Sequence, residues 1–98
     1  MVSTQLSLFE TNTPENAGKP WTKEDIYLVA SYAPTYRNAE QLAKHLGRTE
    51  HAIQYMWCKL YTKTSTLKQW AKPENDTKTH QYKMILEVRK ELDLQVGA

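Results

Sequence analysis

Three sets of start and stop signals crowd into residues 21–61, and they leave room only for short helices. Thr22 can cap a helix start, Asp25 stands three residues on as in a capping box, and Trp21 with Ile26 can bracket the cap as a hydrophobic staple. Pro34 stops this helix, which the pattern places over Thr22–Ala33. Its Ile26, Val29 and Ala33 share one side with Leu28 and Tyr32 adjoining, a core spacing, while Glu24 and Asp25 fall in the first turn where the helix dipole favours them. A second pattern, Ala39, Leu42, Ala43 and Leu46, follows Asn38 as cap with Gln41 three residues later, and Gly47 closes it. That helix is about two and a half turns long. Thr49 then caps a third helix, whose Ala52, Ile53, Met56, Trp57 and Leu60 recur at three- and four-residue spacing. Two helices joined by a tight glycine turn read as a helix-turn-helix, so the expected fold is all-α.

The same stretch resembles a Myb/SANT-like DNA-binding repeat. The resemblance rests on Pro20-Trp21-Thr22-Lys23-Glu24-Asp25, on Leu42-Ala43-Lys44-His45-Leu46-Gly47-Arg48, and on Trp57 nine residues after Arg48. Of the three spaced core tryptophans such repeats carry, Trp21 and Trp57 match the first and third; the position of the second falls near Asn38. The implied fold is a three-helix bundle over residues 20–61 whose third helix reads DNA. With Ile53, Met56, Trp57 and Leu60 turned inward, the outward face of that helix carries Glu50, His51, Gln54, Tyr55, Cys58, Lys59 and Thr62. The resemblance puts the base-contacting positions on His51, Tyr55 and Lys59, four residues apart and therefore on one face. His51 and Lys59 can donate to guanine acceptors, Tyr55 can reach a phosphate or a thymine methyl, and Gln54 can pair with adenine. Arg48 and Thr49, at the helix N-terminus, suit a phosphate. Glu50 is acidic and no arginine follows Arg48 in the helix, a pattern shared with SANT-type repeats that bind protein.

Charge sharpens this only when divided along the chain. Residues 1–50 carry five basic and six acidic side chains and residues 74–98 carry four and five, whereas 51–73 carry Lys59, Lys63, Lys68 and Lys72 and no acid. Lysines at a helix C-terminus also satisfy its dipole, which accounts for Lys59 and Lys63 but not for Lys68 and Lys72. A basic strip leading away from a recognition helix is the footprint phosphate binding requires.

The first 19 residues are mostly Ser, Thr, Asn, Gln, Glu, Gly and Pro, a composition expected to form a disordered tail. Within it stands an apolar pentapeptide, Gln5-Leu6-Ser7-Leu8-Phe9. Either Leu8 and Phe9 tuck back onto the domain, or the segment orders in a partner's pocket. QLSLF resembles the peptide with which bacterial replication and repair proteins dock on the DNA sliding clamp. That resemblance makes Gln5 the polar contact, Leu6 and Ser7 the spacers, and Leu8 and Phe9 the anchors. About ten polar residues follow as a tether.

Residues 62–76 read as a basic loop or wing, with a helical turn allowed around Leu67–Ala71; Trp70 either packs on the core or stacks on nucleic acid. A longer helix is expected over 77–94, where Tyr82, Ile85, Leu86, Arg89 and Leu92 form a stripe widened by Met84 and Val88. It packs across the three-helix unit or forms a homodimer seam. One cysteine, Cys58, excludes an internal disulfide, and no apolar run approaches the roughly 18 residues of a membrane span. His45, His51 and His80 lack metal-ligand spacing and no phosphate loop is present, so neither enzyme activity nor a cofactor is expected. The expected protein binds double-stranded DNA and the sliding clamp, and works at the nucleoid in bacterial cytoplasm. It modulates replication, as a phage or mobile element would require. The alternatives are a helix-turn-helix transcriptional regulator, or a clamp-groove competitor whose domain binds protein.

Overall fold

Four side-chain caps decide where the helices of this protein begin. The computed structural model describes residues 15–94 and 96, and among these it contains five helices and no strand. The apolar pentapeptide, Gln5 to Phe9, lies outside the described residues. Thr22 caps α1 (Lys23–Ala30), its Oγ1 accepting from the Asp25 N–H at 3.2 Å. Thr35 caps α2 (Tyr36–Leu46) by accepting from the Asn38 N–H at 3.1 Å, and Thr49 caps α3 (Glu50–Leu60) by accepting from the Ala52 N–H at 3.0 Å. Asn75 does the same for α5 (Asp76–Leu92), accepting from Lys78 N–H at 2.9 Å. Only α4 (Thr64–Trp70) begins without a side-chain cap.

Two boundaries differ from the sequence expectation by about a turn. The first helix ends at Ser31, not Ala33: the Ser31 N–H donates to the carbonyls of Tyr27 and Leu28, and its hydroxyl donates to Tyr27 at 2.7 Å. Ala33 precedes Pro34, which disfavours helical backbone there, so the helix closes one turn early. Asn38 is not the cap of α2. It sits inside the first turn, and its Nδ2 donates back to the Ala33 carbonyl at 2.8 Å. Thr35, immediately after the proline, takes the capping role, which lengthens α2 by a turn.

Gly47 ends α2 in the left-handed region, at φ 66°. Glycine is required there twice over. A side chain disfavours that backbone, and a Cβ would come within 3.0 Å of Asn16 Nδ2. Asn16 lies against the turn because its N–H donates to the Gly47 carbonyl at 2.7 Å and its side chain to the Leu46 carbonyl at 2.7 Å. Residues 15–20 therefore form an arm docked on the end of α2.

Residues 62–76, expected as a basic loop or wing with a helical turn allowed around Leu67–Ala71, contain α4. Nothing local holds this seven-residue helix; it exists because Leu67 is buried, with Trp70 packed half-buried beside it. The core joins all five helices: Ile26, Val29, Ile53, Met56, Leu60, Leu67, Ile85 and Val88 are fully buried, each worth about 1.5–3 kcal/mol relative to exposure, and α2 adds Ala39, Leu42, Ala43 and Leu46. Trp57 adds a polar tie, its indole N–H donating to the Val29 carbonyl at 2.8 Å. α5 lies along α1 and also touches α3 and α4, while α2 pairs with α3. The α5 stripe is thereby used inside the chain: Met84, Ile85, Val88 and Arg89 are buried, and Tyr82, Leu86 and Leu92 are half-buried at its edges.

Candidate nucleic-acid interface

The outer face of α3 is divided between residues that reach solvent and residues the fold has covered. His51 and Tyr55 are exposed, Gln54 is half-buried, and Thr49 is exposed but holds the cap of its own helix. Beyond the helix, Lys63, Lys68 and Lys72 are exposed as expected. Arg48 and Lys59 are not.

Arg48 was expected to meet a phosphate and instead binds the arm. Its Nη1 donates to the carbonyls of Asn16 and Lys19 at 3.1 and 3.0 Å, and its Nη2 donates to that of Pro20 at 3.1 Å. The guanidinium lies over Trp21, 4.2 Å from the ring centroid, with an Asp25 carboxylate oxygen 3.9 Å away. Burial holds its pKa below the ordinary value, opposed by Asp25. A side chain only 6% exposed with three carbonyls on its fork has no face left for DNA.

Lys59 was expected on the same outward face as His51 and Tyr55, but α4 and α5 fold over it and leave it 8% exposed. Its ammonium lies 4.5 Å from the centroid of Tyr55 and 4.9 Å from that of Trp70, and it donates to Gln81 Oε1. Among the described residues no carboxylate pairs with it. The charged group that acts on it is Lys78, whose ammonium stands 5.5 Å from the Trp70 centroid. Burial, and secondarily Lys78, lower the Lys59 pKa from 10.5 to about 8. Burying an ammonium costs on the order of several kcal/mol, which lysines usually offset by pairing. Here two aromatic faces, each worth up to roughly 2 kcal/mol when desolvated, and one amide oxygen take that part.

The third buried cation lies at the same end of α3. Arg89 donates from Nε to the Leu60 carbonyl at 2.8 Å, and from Nη2 to the carbonyls of Lys59 and Thr62 at 2.7 and 2.6 Å. Two of these carbonyls belong to the last turn of α3 and the third lies just beyond it, so a residue 29 positions from Leu60 closes the helix end. Its pKa is lowered by burial, with Tyr82 opposing.

Lys78 and Gln81 were not foreseen as part of this site. The available signal was periodic: Lys78 and Gln81 continue the Ile85 and Val88 side of α5 back toward its start, so polar groups occupy a face that is otherwise core. No set of three or more His, Cys, Asp or Glu side chains is placed to hold a metal among the described residues, and no described helix is long and apolar enough to cross a membrane.

Fold and site together define a small all-helical domain with cations buried at both ends of its third helix. Residues 15–96 match the family described as the uncharacterised protein PM1205 C-terminal domain, and the chain belongs to that family. The matched span takes in the docked arm and all five helices, and it excludes residues 5–9. No curated protein and no solved structure matches the chain.

Proposed function

We propose that this protein binds double-stranded DNA through the outer face of α3 and the lysines of residues 63–72, and docks on the bacterial sliding clamp through Gln5-Leu6-Ser7-Leu8-Phe9. The observation that carries the DNA reading is the acid-free run from His51 to Pro73, which exposes His51, Tyr55, Lys63, Lys68 and Lys72. The Myb/SANT resemblance supports it by assigning α1, α2 and α3 to a three-helix reader with α3 in the major groove. Lys59 contributes through charge and not as a base-reading side chain, and Arg48 is withdrawn from the contact set. The clamp reading rests on the pentapeptide and on its position ahead of the matched domain. Together they describe a replication-associated modulator in a bacterial cell, of a kind useful to a phage or mobile element.

A second reading is favoured by a separate observation. Tyr27, Tyr32, Tyr36, Tyr55 and Tyr61 are all exposed, Tyr36 by 83%. Tyrosine-rich surfaces are typical of protein interfaces, so the domain could hold a protein while the tail occupies the clamp groove.

Salt separates the two readings. With three exposed lysines neutralising phosphates, the logarithm of duplex affinity should fall against that of salt with a slope of about −3. A slope near zero, with binding to a protein partner that survives salt, would support the second reading. In parallel, the full chain and its Leu8→Ala/Phe9→Ala variant are titrated with purified clamp. The proposal requires the double substitution to abolish clamp binding without changing duplex affinity or unfolding midpoint. If the wild type does not bind clamp, the docking reading is lost and the transcriptional-regulator alternative takes its place.

A further inference from the structure

Lysine 59 presents a problem that the rest of the fold does not resolve. It is almost wholly buried, its hydrogen-bond partner is the neutral Gln81, and the charged group that acts on it is another lysine. Both ammonium groups, of Lys59 and Lys78, stand within 5.5 Å of the centroid of the same indole, Trp70. Two like charges converging on one ring repel each other, and a protein that needed only a packed interior would place an apolar residue there. The lowered pKa does not remove the charge. At about 8 it leaves the group roughly nine-tenths protonated at pH 7.

The arrangement has the parts of an anion site. Lys59 and Lys78 supply two point charges, Gln81 orients the first, and Tyr55, Lys78 and Trp70 at the edge of the cluster keep part of their surface in solvent. An aromatic edge beside paired lysines suits a nucleic-acid backbone, because a ring can carry a sugar or base while the ammonium groups hold the phosphate. Lys63, Lys68 and Lys72, exposed on the segment that carries Trp70, extend the positive charge in one direction along the chain.

We propose that Lys59 and Lys78, flanked by Tyr55 and Trp70, seat a backbone phosphate of the bound nucleic acid, which makes the start of α5 part of the contact surface. This rests on the DNA reading above and adds to it a site that the three-helix resemblance does not contain. The groups facing Lys59 are Tyr55 on its own helix, Trp70 on α4, and Lys78 and Gln81 on α5; among them the titratable ones are Tyr55 and Lys78. A phosphate in the seat favours the ammonium form, so it raises the Lys59 pKa, and affinity for it declines as pH rises through about 8.

The test uses the full chain and two probes. In the first arm the Lys59 side chain is followed through a pH titration by nitrogen-detected NMR, in inorganic phosphate and in chloride of equal ionic strength. Phosphate is expected to move its midpoint upward, and Lys78→Gln, at a half-buried position that should leave the fold intact, to abolish that movement. In the second arm a short mixed-sequence duplex is titrated at several salt concentrations. Lys78→Gln should weaken binding about three- to tenfold and reduce the salt slope by about one. An unmoved Lys59 midpoint in phosphate, or one that moves equally in K78Q, overturns the seat. If duplex binds with an undiminished slope in K78Q, the seat is again overturned while the DNA reading stands. If phosphate moves the midpoint but duplex does not bind, the cluster is an anion site that meets no nucleic acid, which overturns both the proposed occupant and the DNA reading.

Discussion

The two buried arginines and the buried lysine solve the same physical problem in opposite ways. Arg48 and Arg89 each place a guanidinium among three backbone carbonyls from distant parts of the chain. In both cases the cation tethers structure: Arg48 fixes the 15–20 arm to the α2–α3 turn, and Arg89 closes the end of α3. Lys59 has two rings, one amide and a second lysine. Its ammonium ties down no backbone carbonyl, and it lies within the acid-free run of residues 51–73. A buried cation surrounded by carbonyls is accounted for by the fold; one surrounded by rings and another cation is accounted for by something the fold meets.

This comparison breaks if the three residues respond alike to removal. Arg48→Ala and Arg89→Ala should each lower stability by about 3 kcal/mol in urea unfolding, because several carbonyls lose their donor at once. Lysine should not rescue either site, since an ammonium cannot span the carbonyls that a planar fork reaches. Gly47→Ala sharpens the assignment of the Arg48 end as scaffold. The strained φ and the 3.0 Å approach to Asn16 should cost about 1–2 kcal/mol and loosen the arm, seen as faster amide exchange at Asn16.

Lys59→Met should have the opposite sign, stabilising the fold by about 1 kcal/mol at pH 7. The gain depends on pH. The folded-state pKa of Lys59, about 8, lies below its ordinary 10.5, so the penalty of keeping it charged is full below pH 8 and is relieved as pH rises toward 10.5. The difference between wild type and K59M should therefore shrink across that window. A constant difference would mean that Lys59 is not desolvated. An effect of similar size is expected at the caps: Thr35→Ala should cost about 1 kcal/mol.

How far this was legible in the sequence depends on how far each determinant reaches. Thr22, Thr49 and Gly47 act within three or four residues, so they could be read directly. Asn38 and Thr35 are both good caps three residues apart, and the choice between them was made by the position of Pro34 and by the Ala33 carbonyl that Asn38 answers. α4 has β-branched residues and no cap, and its formation depends on burying Leu67 among helices distant in sequence. The candidate site was half legible. The exposed lysines and the α3 face followed from charge and period, but Arg48 finds its carbonyls 28 to 32 residues away and Lys59 its amide 22 residues away. No local pattern encodes such pairings.

The most direct test of a scaffold end and a contact end is an amide chemical-shift map of the full chain titrated with a short DNA duplex at low salt. The account predicts perturbations concentrated on the outer face of α3, on α4 from Thr64 to Trp70, and on the first turns of α5 around Lys78, with the Arg48 arm unmoved. Perturbations centred on residues 15–20 and the Gly47 turn, or on the exposed Tyr32 and Tyr36, would contradict it.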